Sequence, residues 1–275
     1  MMKRYYIQLK KNQKMSLLET ICTHLKLDEN ASKKLIIQGS VWHNNKRIKD
    51  HNLIIDDTFL LQIFQPEFPI KEYSMNKQNI KYEDEHLIII NKEAGVNTCP
   101  SPFSDTDCLS YGVQKYFDEK KIDYQVFTIN RLDKPTKGLV FFAKNKKVET
   151  LLHQMFKERD VKKLYLAITP KFDLKQETFF IRDFLEWKGK SQDAISYIKF
   201  TKEKNDLFYF TVYPKTGRTH QIRKHFQKYL IPLIGDATYG NYSNKDELGL
   251  TCFYYRFKHP VTNKKMEIKF LDECK

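Results

Sequence analysis

The sequence contains no long hydrophobic run and few glycines or prolines. Its longest apolar runs, such as residues 139–143, are far shorter than the ~20 apolar residues that a membrane-spanning helix needs. Residues 1–14 carry too many charges for the apolar core of a signal peptide. Nine glycines and nine prolines among 275 residues argue against a collagen-like or low-complexity chain. These absences predict a folded protein that has no membrane partner.

Paired cysteines are missing as well. The five cysteines are odd in number and scattered, and no two have the two-residue spacing of a zinc knuckle. The pattern indicates neither a disulfide framework nor a zinc site, and we expect unreactive thiols in a reducing cytoplasm. The cysteines are Cys22, Cys99, Cys108, Cys252 and Cys274.

Several common catalytic motifs are also absent. The sequence has no glycine-rich loop of the kind that binds phosphates, no His-Glu-x-x-His helix and no Gly-x-Ser-x-Gly elbow. Nucleotide hydrolysis, zinc proteolysis and α/β-hydrolase chemistry therefore lose their usual support in the sequence.

Positive charge is what the sequence has in excess. Lysine and arginine total 48 against 34 aspartates and glutamates, which gives a formal net charge of +14. A surplus of this size favours a polyanionic partner, with nucleic acid ahead of an anionic membrane surface. A DNA-binding or membrane-surface protein is the alternative that rests on charge alone.

Residues 1–65 are predicted to form a small basic domain. Ser16 and Glu19 have the spacing of a capping box, at the start of a helix with an apolar face. A second short helix stops before Gly39, a residue that favours the position just after a helix. Asn-Asn and Asp-Asp turns separate the two strands that follow. The second helix and the two strands are predicted at residues 31–38, 41–43 and 59–64.

Basic side chains cluster on and after the second helix of this domain. Lys33, Lys34, Lys46 and Arg47 are expected to follow the phosphates of an RNA. The helix–helix–turn–strand pattern resembles the ribosomal S-four-type RNA-binding domain over residues 13–65. That resemblance also implies an RNA contact.

Residues 66–73 contain prolines and no apolar period, so they are predicted to link the small domain to a catalytic domain over residues 74–275. In the larger domain strand-like runs outnumber helical patterns, which favours an α+β fold around a mostly antiparallel mixed sheet. Helices are predicted at residues 109–117 and 148–156, and strands at residues 87–91, 139–143, 164–168, 195–200 and 208–213.

Three motifs stand out in the larger domain, and the Arg-Leu-Asp and Thr-Gly-Arg-Thr-His-Gln-Ile-Arg runs within them are highly specific. They read Asn-Arg-Leu-Asp-Lys-Pro-Thr-Lys-Gly-Leu at residues 130–139, Lys-Leu-Tyr-Leu-Ala at residues 163–167 and Thr-Gly-Arg-Thr-His-Gln-Ile-Arg-Lys-His at residues 216–225, the last followed by Ile-Gly-Asp at residues 234–236 and Tyr-Gly at residues 239–240. With these motifs, residues 74–272 resemble the RluA-type RNA pseudouridine synthases. The resemblance implies that family's fold and the isomerisation of specific uridines in structured RNA, with large-subunit ribosomal RNA favoured over transfer RNA.

The chemistry implied by this resemblance sets the requirements of the site. The reaction detaches uracil from its sugar and rejoins it through a ring carbon, with no redox change and no net hydrolysis. We therefore expect no cofactor and no metal, and a protein that acts as a monomer. The resemblance assigns Asp133, Tyr165 and Arg223 to catalysis and Asn130, Arg131, Arg218, His220, Gln221 and Ile222 to substrate binding.

The three catalytic assignments follow from what each side chain offers. Asp133 would attack the sugar or take a proton from it. Arg223 would favour the charged form of that carboxylate. Tyr165 would stack on the uracil once it has left the RNA stack, and its hydroxyl would be near the proton that moves on the base.

The residues by themselves leave other interpretations open. An aspartate in a loop with proline and lysine is often only a turn residue, and Tyr165 also fits ordinary packing in a strand. Residues 219–223 fit either a strand, with Gln221 and Arg223 on one face, or a helix capped by Thr219.

The chain departs from the family pattern at two positions. Asn130 stands where family members usually carry histidine, and Glu93 where they often carry proline. Because asparagine still donates a hydrogen bond, we expect activity to persist, with RNA choice or rate affected. The competing interpretation is an RNA-binding or ribosome-assembly protein that kept the fold and lost turnover, for which Asn130 is the only support.

Overall fold

The chain forms two compact units in the computed structural model, which describes residues 2–243 and 245–270. Within those residues no helix is both long and apolar enough to cross a membrane. The first unit comprises the chain up to Met75 together with Cys99–Glu119, and the second comprises Asn76–Thr98 together with the chain from Lys120 onward.

The first unit combines helices with two small antiparallel sheets. Its strands are β1 (Met2–Gln8), β2 (Met15–Ser16), β3 (Val41–His43), β4 (Lys46–Arg47), β5 (Ile54–Ile55) and β6 (Leu60–Pro66), and its helices are α1 (Leu17–Leu25), α2 (Glu29–Ile37) and α3 (Leu109–Glu119). One sheet has the order β1-β6-β3-β4, and β2 pairs with β5 in the other. The strands β1, β2, β4 and β5 are not predicted from the sequence.

Local capping starts both helices at the beginning of this unit. The predicted capping box is confirmed, because Ser16 Oγ accepts from Glu19 N at 3.1 Å and Glu19 Oε2 accepts from Ser16 N at 2.9 Å. Helix α2 begins two residues earlier than predicted, since Asp28 Oδ1 accepts from Ala31 N at 2.8 Å. The buried core of the unit consists of Ile7, Leu9, Leu17, Ile21, Leu35, Ile36, Val41, Ile55, Leu61 and Ile63.

The second unit is organised around a ten-stranded sheet. Its strands are β7 (Ile80–Glu83), β8 (Leu87–Lys92), β9 (Phe127–Thr128), β10 (Lys137–Ala143), β11 (Lys162–Pro170), β12 (Thr178–Trp187), β13 (Lys190–Lys204), β14 (Leu207–Pro214), β15 (Leu250–Lys258) and β16 (Lys265–Lys269). Its helices are α4 (Lys146–Glu158) and α5 (Gln221–Tyr229), with a 3₁₀ turn at Lys77–Asn79. The strand order is β12-β13-β14-β11-β15-β10-β8-β7, with β9 on β10 and β16 on β15.

Neighbouring strands in this sheet are antiparallel except β10 and β15, which run parallel. The predicted α+β fold with a mostly antiparallel mixed sheet is therefore confirmed. Gly138 lies opposite Cys252 in the parallel pair and has φ +123°. A Cβ at Gly138 would lie 2.2 Å from the Cys252 carbonyl oxygen, so only glycine allows β10 this close to β15.

Strand β12 is not predicted from the sequence. Its apolar residues lie on both faces, because Phe180 and Phe184 are 59% and 63% exposed while Ile181 and Leu185 are buried. The apolar–polar alternation that indicates a half-buried strand is therefore missing from this segment.

The four described cysteines are all free thiols. Cys108 and Cys252 are buried, whereas Cys22 and Cys99 are half-buried. Cys274 lies outside the described residues.

Candidate active site

The loop between β9 and β10 carries Asp133, and hydrogen bonds hold its backbone on both sides of that residue. Thr98 Oγ1 donates to the Leu132 carbonyl at 2.8 Å and accepts from Leu132 N at 3.1 Å. Gly95 N donates to the Lys134 carbonyl at 2.9 Å. The backbone on either side of Asp133 is thus held by residues that follow β8, while 27% of the Asp133 side chain stays exposed.

A buried lysine at the end of β8 also holds the Asp133 loop through hydrogen bonds to backbone carbonyl groups. Lys92 Nζ donates to the carbonyl oxygens of Glu93, Val96 and Lys134 at 2.9, 2.8 and 3.1 Å. Burial lowers the pKa of Lys92 to about 7, against an opposing contribution from Asp133. The sequence assigns no role to Lys92, because its role depends on carbonyl groups that the fold brings together.

Arg223 on α5 makes a buried, bidentate ion pair with Asp236. Its Nε and Nη2 donate to the two Asp236 carboxylate oxygens at 2.8 and 2.7 Å, and the two side chains are 3% and 1% exposed. Asp236 also accepts from the backbone N–H groups of Thr238 and Tyr239 at 3.0 and 3.1 Å. Burial opposes the charge of Arg223, yet Asp236 and Asp133 raise its pKa above the ordinary value.

The remaining guanidinium nitrogen of Arg223 faces Asp133. Arg223 Nη1 lies 3.6 Å from Asp133 Oδ2, which is an ion pair too long for a hydrogen bond. Because Asp236 fixes the other two nitrogens in a planar fork, the position of Nη1 is determined before any substrate arrives. The geometry thus brings together the carboxylate and the guanidinium that the sequence predicts to act as a pair.

His220 lies beside the same carboxylate. Its Nε2 is 3.7 Å from Asp133 Oδ1, and its Nδ1 is 2.9 Å from the Tyr239 hydroxyl. Burial lowers the pKa of His220, with Asp133 acting in the opposite direction. The backbone of His220 is left-handed, with φ +55°, an uncommon conformation for a residue with a Cβ and one that often marks a functional site.

Tyr165 lies on β11, directly opposite Cys252 on β15. Its side chain is buried and its hydroxyl is hydrogen-bonded to the Cys252 thiol. Burial raises the pKa of Tyr165 well above its ordinary value, with further contributions from Cys252 and Asp133. The hydroxyl is therefore protonated near neutral pH, and the charge of Asp133 acts on it directly.

The second half of the third motif lies in a helix. Helix α5 begins at Gln221, and the residue at its N-cap is His220, where the sequence offered Thr219 as the cap. His220 makes no side-chain cap bond to the helix. The helical arrangement places Arg223 in the first turn, where it is buried against Asp236.

Both the oxygen and the nitrogen of the Gln221 side-chain amide are hydrogen-bonded within the protein. Its Nε2 donates to the Ile195 carbonyl and to Ser196 Oγ at 2.9 Å each, while its Oε1 accepts from Thr216 Oγ1 at 2.6 Å and from Arg218 N at 3.0 Å. This predicted substrate-binding residue thus connects α5 to β13 and to the preceding loop.

Asn130 is also directed into the interior. Its Nδ2 donates to the Tyr255 hydroxyl at 3.0 Å and its Oδ1 accepts from Phe141 N at 2.8 Å. The buried Tyr255 is hydrogen-bonded in turn to Cys252, the residue that lies opposite Tyr165. At the position where the family usually has histidine, this asparagine holds the start of the Asp133 loop.

The other predicted substrate-binding residues are divided between surface and interior. Arg131 is exposed, whereas Ile222 is 6% exposed and forms part of the apolar interior. Arg218 is exposed and its Nε donates to the Asp193 carbonyl at 2.9 Å.

The four predicted RNA-contact residues of the first unit differ in how far their charged groups are free to contact an RNA. Lys34 and Lys46 are exposed, and Lys33 Nζ pairs with Glu29 at 2.5 Å. Arg47 donates to the carbonyl oxygens of Gly39 and Ser101, within the same unit, and its guanidinium stacks 4.4 Å above the Trp42 ring. Three of the four thus present an ammonium group near the surface, while Arg47 holds its own unit together.

No group of three or more His, Cys, Asp or Glu side chains that could hold a metal occurs in the part of the chain that the structure describes. Asp236 and Tyr239, which lie next to Arg223 and His220, belong to the stretch that follows the third motif, but the sequence assigns neither of them a role. Only their folded positions reveal that they hold the groups around Asp133.

The fold is that of a pseudouridine synthase. It is similar to human RNA pseudouridylate synthase domain containing 1, with a TM-score of 0.57 and 22% identity over 70% of this chain and 83% of that one.

Similarity in sequence extends over most of the chain. It is 36% identical over 219 residues to ribosomal large subunit pseudouridine synthase C of Rickettsia typhi, covering 72% of this chain and 70% of that protein. It is 30% identical over 223 residues to tRNA pseudouridine synthase C of Haemophilus ducreyi, covering 70% and 90%. Residues 86–228 match the model of the RNA pseudouridylate synthase family. The chain belongs to this family, whose members isomerise uridine to pseudouridine in RNA.

Proposed function

We propose that this enzyme acts on large-subunit ribosomal RNA and that Asp133 is its catalytic carboxylate. The observation that carries the assignment is the position of Asp133, which lies 3.6 Å from Arg223 and 3.7 Å from His220. Its loop is fastened from two sides and its side chain remains partly accessible. A carboxylate fixed in this way is ready to react with a uridine that has been turned out of its stack.

Each neighbour of Asp133 has a proposed task. Arg223 favours the charged carboxylate throughout the reaction, because its own position is set by Asp236. The Tyr165 ring stacks on the free uracil while its hydroxyl stays hydrogen-bonded to the Cys252 thiol. His220 stays largely neutral, since burial lowers its pKa, and it closes one side of the pocket. Detached uracil is thereby kept close to the sugar carbon to which it must be rejoined.

Ribosomal RNA is preferred as substrate because the more similar relative is named as a large-subunit synthase. A transfer RNA substrate is the second possibility, since a relative named for transfer RNA is 30% identical. We propose that the enzyme is cytoplasmic, where both of these RNAs occur. The isomerisation balances without a cofactor or metal, and we propose that the enzyme works as a monomer.

The experiment that tests the substrate is a comparison of pseudouridine maps from cells with and without this gene. We expect signals to disappear at one or a few uridines of large-subunit ribosomal RNA, and to return when the wild-type chain is restored but not when Asp133→Asn is. Loss confined to transfer RNA would replace the ribosomal substrate, and unchanged maps in both RNAs would contradict the proposed function.

We also propose that residues 1–65 are an RNA-binding domain, joined through residues 66–73 to a catalytic domain over residues 74–275. A buried core drawn from residues 7–63 and the helix–helix–strand order support a small domain here, and the accessible ammonium groups near α2 and on β4 support an RNA contact. The compact first unit is larger than this domain, since it extends to Met75 and includes Cys99–Glu119. Phosphate contacts from this domain would help to offset the few kcal/mol that turning out a nucleotide costs.

Neutralising the basic cluster of this domain is expected to flatten the salt dependence of RNA binding. In the triple variant Lys33→Gln, Lys34→Gln and Lys46→Gln, each lost phosphate contact should lower the slope of log K against log salt by about 0.7 on single-stranded RNA. Binding of an unmodified ribosomal RNA transcript over a range of salt concentrations measures the slope.

The matched control is a triple variant of three exposed lysines elsewhere in the same unit. Lys10, Lys11 and Lys14 lie between β1 and β2, and replacing all three by glutamine alters the net charge equally. Equal slopes for the two triple variants would show that only overall charge matters, which contradicts a specific basic contact.

A further inference from the structure

The hairpin formed by β12 and β13 carries an exposed aromatic residue next to its turn, which contains two lysines. Trp187 lies opposite Lys190, and the two residues between them, Lys188 and Gly189, have φ +49° and +72°. Positive φ at both central positions is typical of the tight turn that joins two twisted strands. The turn is therefore well defined, and the Trp187 side chain next to it is 43% exposed.

This hairpin tip, residues 187–190, lies beside the candidate active site. The centroid of the Trp187 ring is 6.3 Å from that of His220, and His220 Nε2 is 3.7 Å from Asp133. Tyr239 packs on His220 as well, with ring centroids 5.6 Å apart. An aromatic surface thus extends from the carboxylate, through His220, to the hairpin tip.

Two lysines of α5 hold the hairpin in place. Lys224 Nζ donates to the Glu186 carbonyl at 3.1 Å, and Lys228 Nζ pairs with Asp183 at 2.8 Å. Because α5 also carries Arg223, the same helix positions both the hairpin and the guanidinium group beside Asp133. A nucleotide that rests on Trp187 would therefore have a defined position relative to the catalytic carboxylate.

The composition of the tip fits a nucleic acid. Lys188 and Lys190 are both exposed, so the turn places two positive charges next to an accessible indole ring. Aromatic rings stack on bases of any sequence, and lysines follow the phosphates between them. An indole left in water otherwise gains nothing from its large apolar surface.

We propose that the hairpin tip is an RNA-contact element of the catalytic domain, in addition to the small domain of residues 1–65. In this element Trp187 stacks on a nucleotide next to the reacting uridine. Lys188 and Lys190 bind the adjoining phosphates. The proposal rests on the proposed function, because it concerns the same RNA and the same catalytic carboxylate, and it adds a contact that holds a nucleotide flanking the reacting uridine.

The first test compares Trp187→Ala with Phe184→Ala. Phe184 is on the same strand and is 63% exposed, but it stands three positions before Trp187, so it faces the other side of the sheet. On an unmodified ribosomal RNA transcript, Trp187→Ala should lower kcat/KM by about tenfold to a hundredfold, chiefly by raising KM. Phe184→Ala should change it by less than about twofold.

The conservative variant separates stacking from structure. Trp187→Phe retains a ring and should recover a large part of the activity that Trp187→Ala loses. Replacing Lys188 and Lys190 by glutamine should flatten the salt dependence of RNA binding, by about 0.7 for each lost contact. Equal kinetics for wild type and Trp187→Ala, or an equal loss in Phe184→Ala, would overturn the proposal.

A second measurement does not depend on turnover. The chain has two tryptophans, so Trp187→Phe leaves Trp42 as the sole indole. A short oligouridine should quench the tryptophan fluorescence of the full-length wild-type chain and should quench Trp187→Phe much less. Equal quenching in both chains would overturn the stacking contact.

The two measurements distinguish failure of this proposal from failure of the proposed function. If the wild-type chain forms pseudouridine but Trp187→Ala matches it in kinetics and in RNA affinity, only the hairpin contact is wrong. If oligouridine quenches Trp187 but no pseudouridine forms in ribosomal RNA, the contact stands and the proposed substrate is wrong.

Discussion

Replacement of Asp133 by asparagine is expected to lower pseudouridine formation by roughly 10⁴-fold or more, as the loss of a catalytic nucleophile does in other enzymes. The amide has nearly the shape of the carboxylate but cannot attack a sugar carbon or accept a proton. Since Asp133 is partly exposed and its loop is held through backbone groups, the variant should fold normally. Release of tritium from C5 of labelled uracil in RNA measures the reaction.

RNA binding provides the control for this variant. The affinity of Asp133→Asn for the transcript should stay close to that of the wild-type chain, because the phosphate contacts are unchanged. Asp173→Asn changes a 79% exposed aspartate and should retain full activity. Turnover by Asp133→Asn at a substantial fraction of the wild-type rate would remove Asp133 from the mechanism.

Replacement of Arg223 by methionine is expected both to abolish turnover and to destabilise the fold. It leaves the Asp236 carboxylate, which is 1% exposed, without its bidentate partner. Breaking a buried pair on one side typically costs about 3–5 kcal/mol of unfolding free energy. The midpoint of urea denaturation measures the loss of stability, and tritium release measures the loss of activity.

A double variant separates these two effects. Arg223→Met with Asp236→Asn removes both buried charges, and the amide oxygen can still accept from the backbone of Thr238 and Tyr239. Most of the lost stability should return, because replacing a buried pair by neutral groups is often close to neutral. Turnover should stay lost, since Asp133 no longer faces a guanidinium; recovery of both properties would refute a role for Arg223 in the reaction.

The parts of this structure that depend on local sequence are predictable. The capping box at Ser16 forms with the partner that its spacing indicates, and Gly39 ends the helical segment with φ +85°. The motif residues Asp133 and Arg223 lie together, as the resemblance implies. These features involve either a few neighbouring residues or motifs whose spacing is itself informative.

The features that depend on the interior are not predictable in the same way. Residue type and motif indicate that Gln221 and Asn130 bind RNA, yet their amides satisfy hydrogen bonds inside the protein. The direction of a polar side chain depends on which backbone groups lack partners after folding. For the same reason the sequence assigns no role to Lys92 or Asp236, because only the folded loops bring their partners within hydrogen-bonding distance.

The position of β15 in the large sheet has a consequence for how the enzyme matures. Without this strand, the remaining strands of the sheet would separate into two groups, one containing the tyrosine of the pocket and the other adjoining the carboxylate loop. Residues 250–258 follow all the strands of both groups in the chain. A growing chain on the ribosome can build each group before β15 is made but cannot join the two groups until β15 is inserted between them. Catalytic competence therefore depends on a strand that is made after both groups, and no chain that stops before residue 250 should modify RNA.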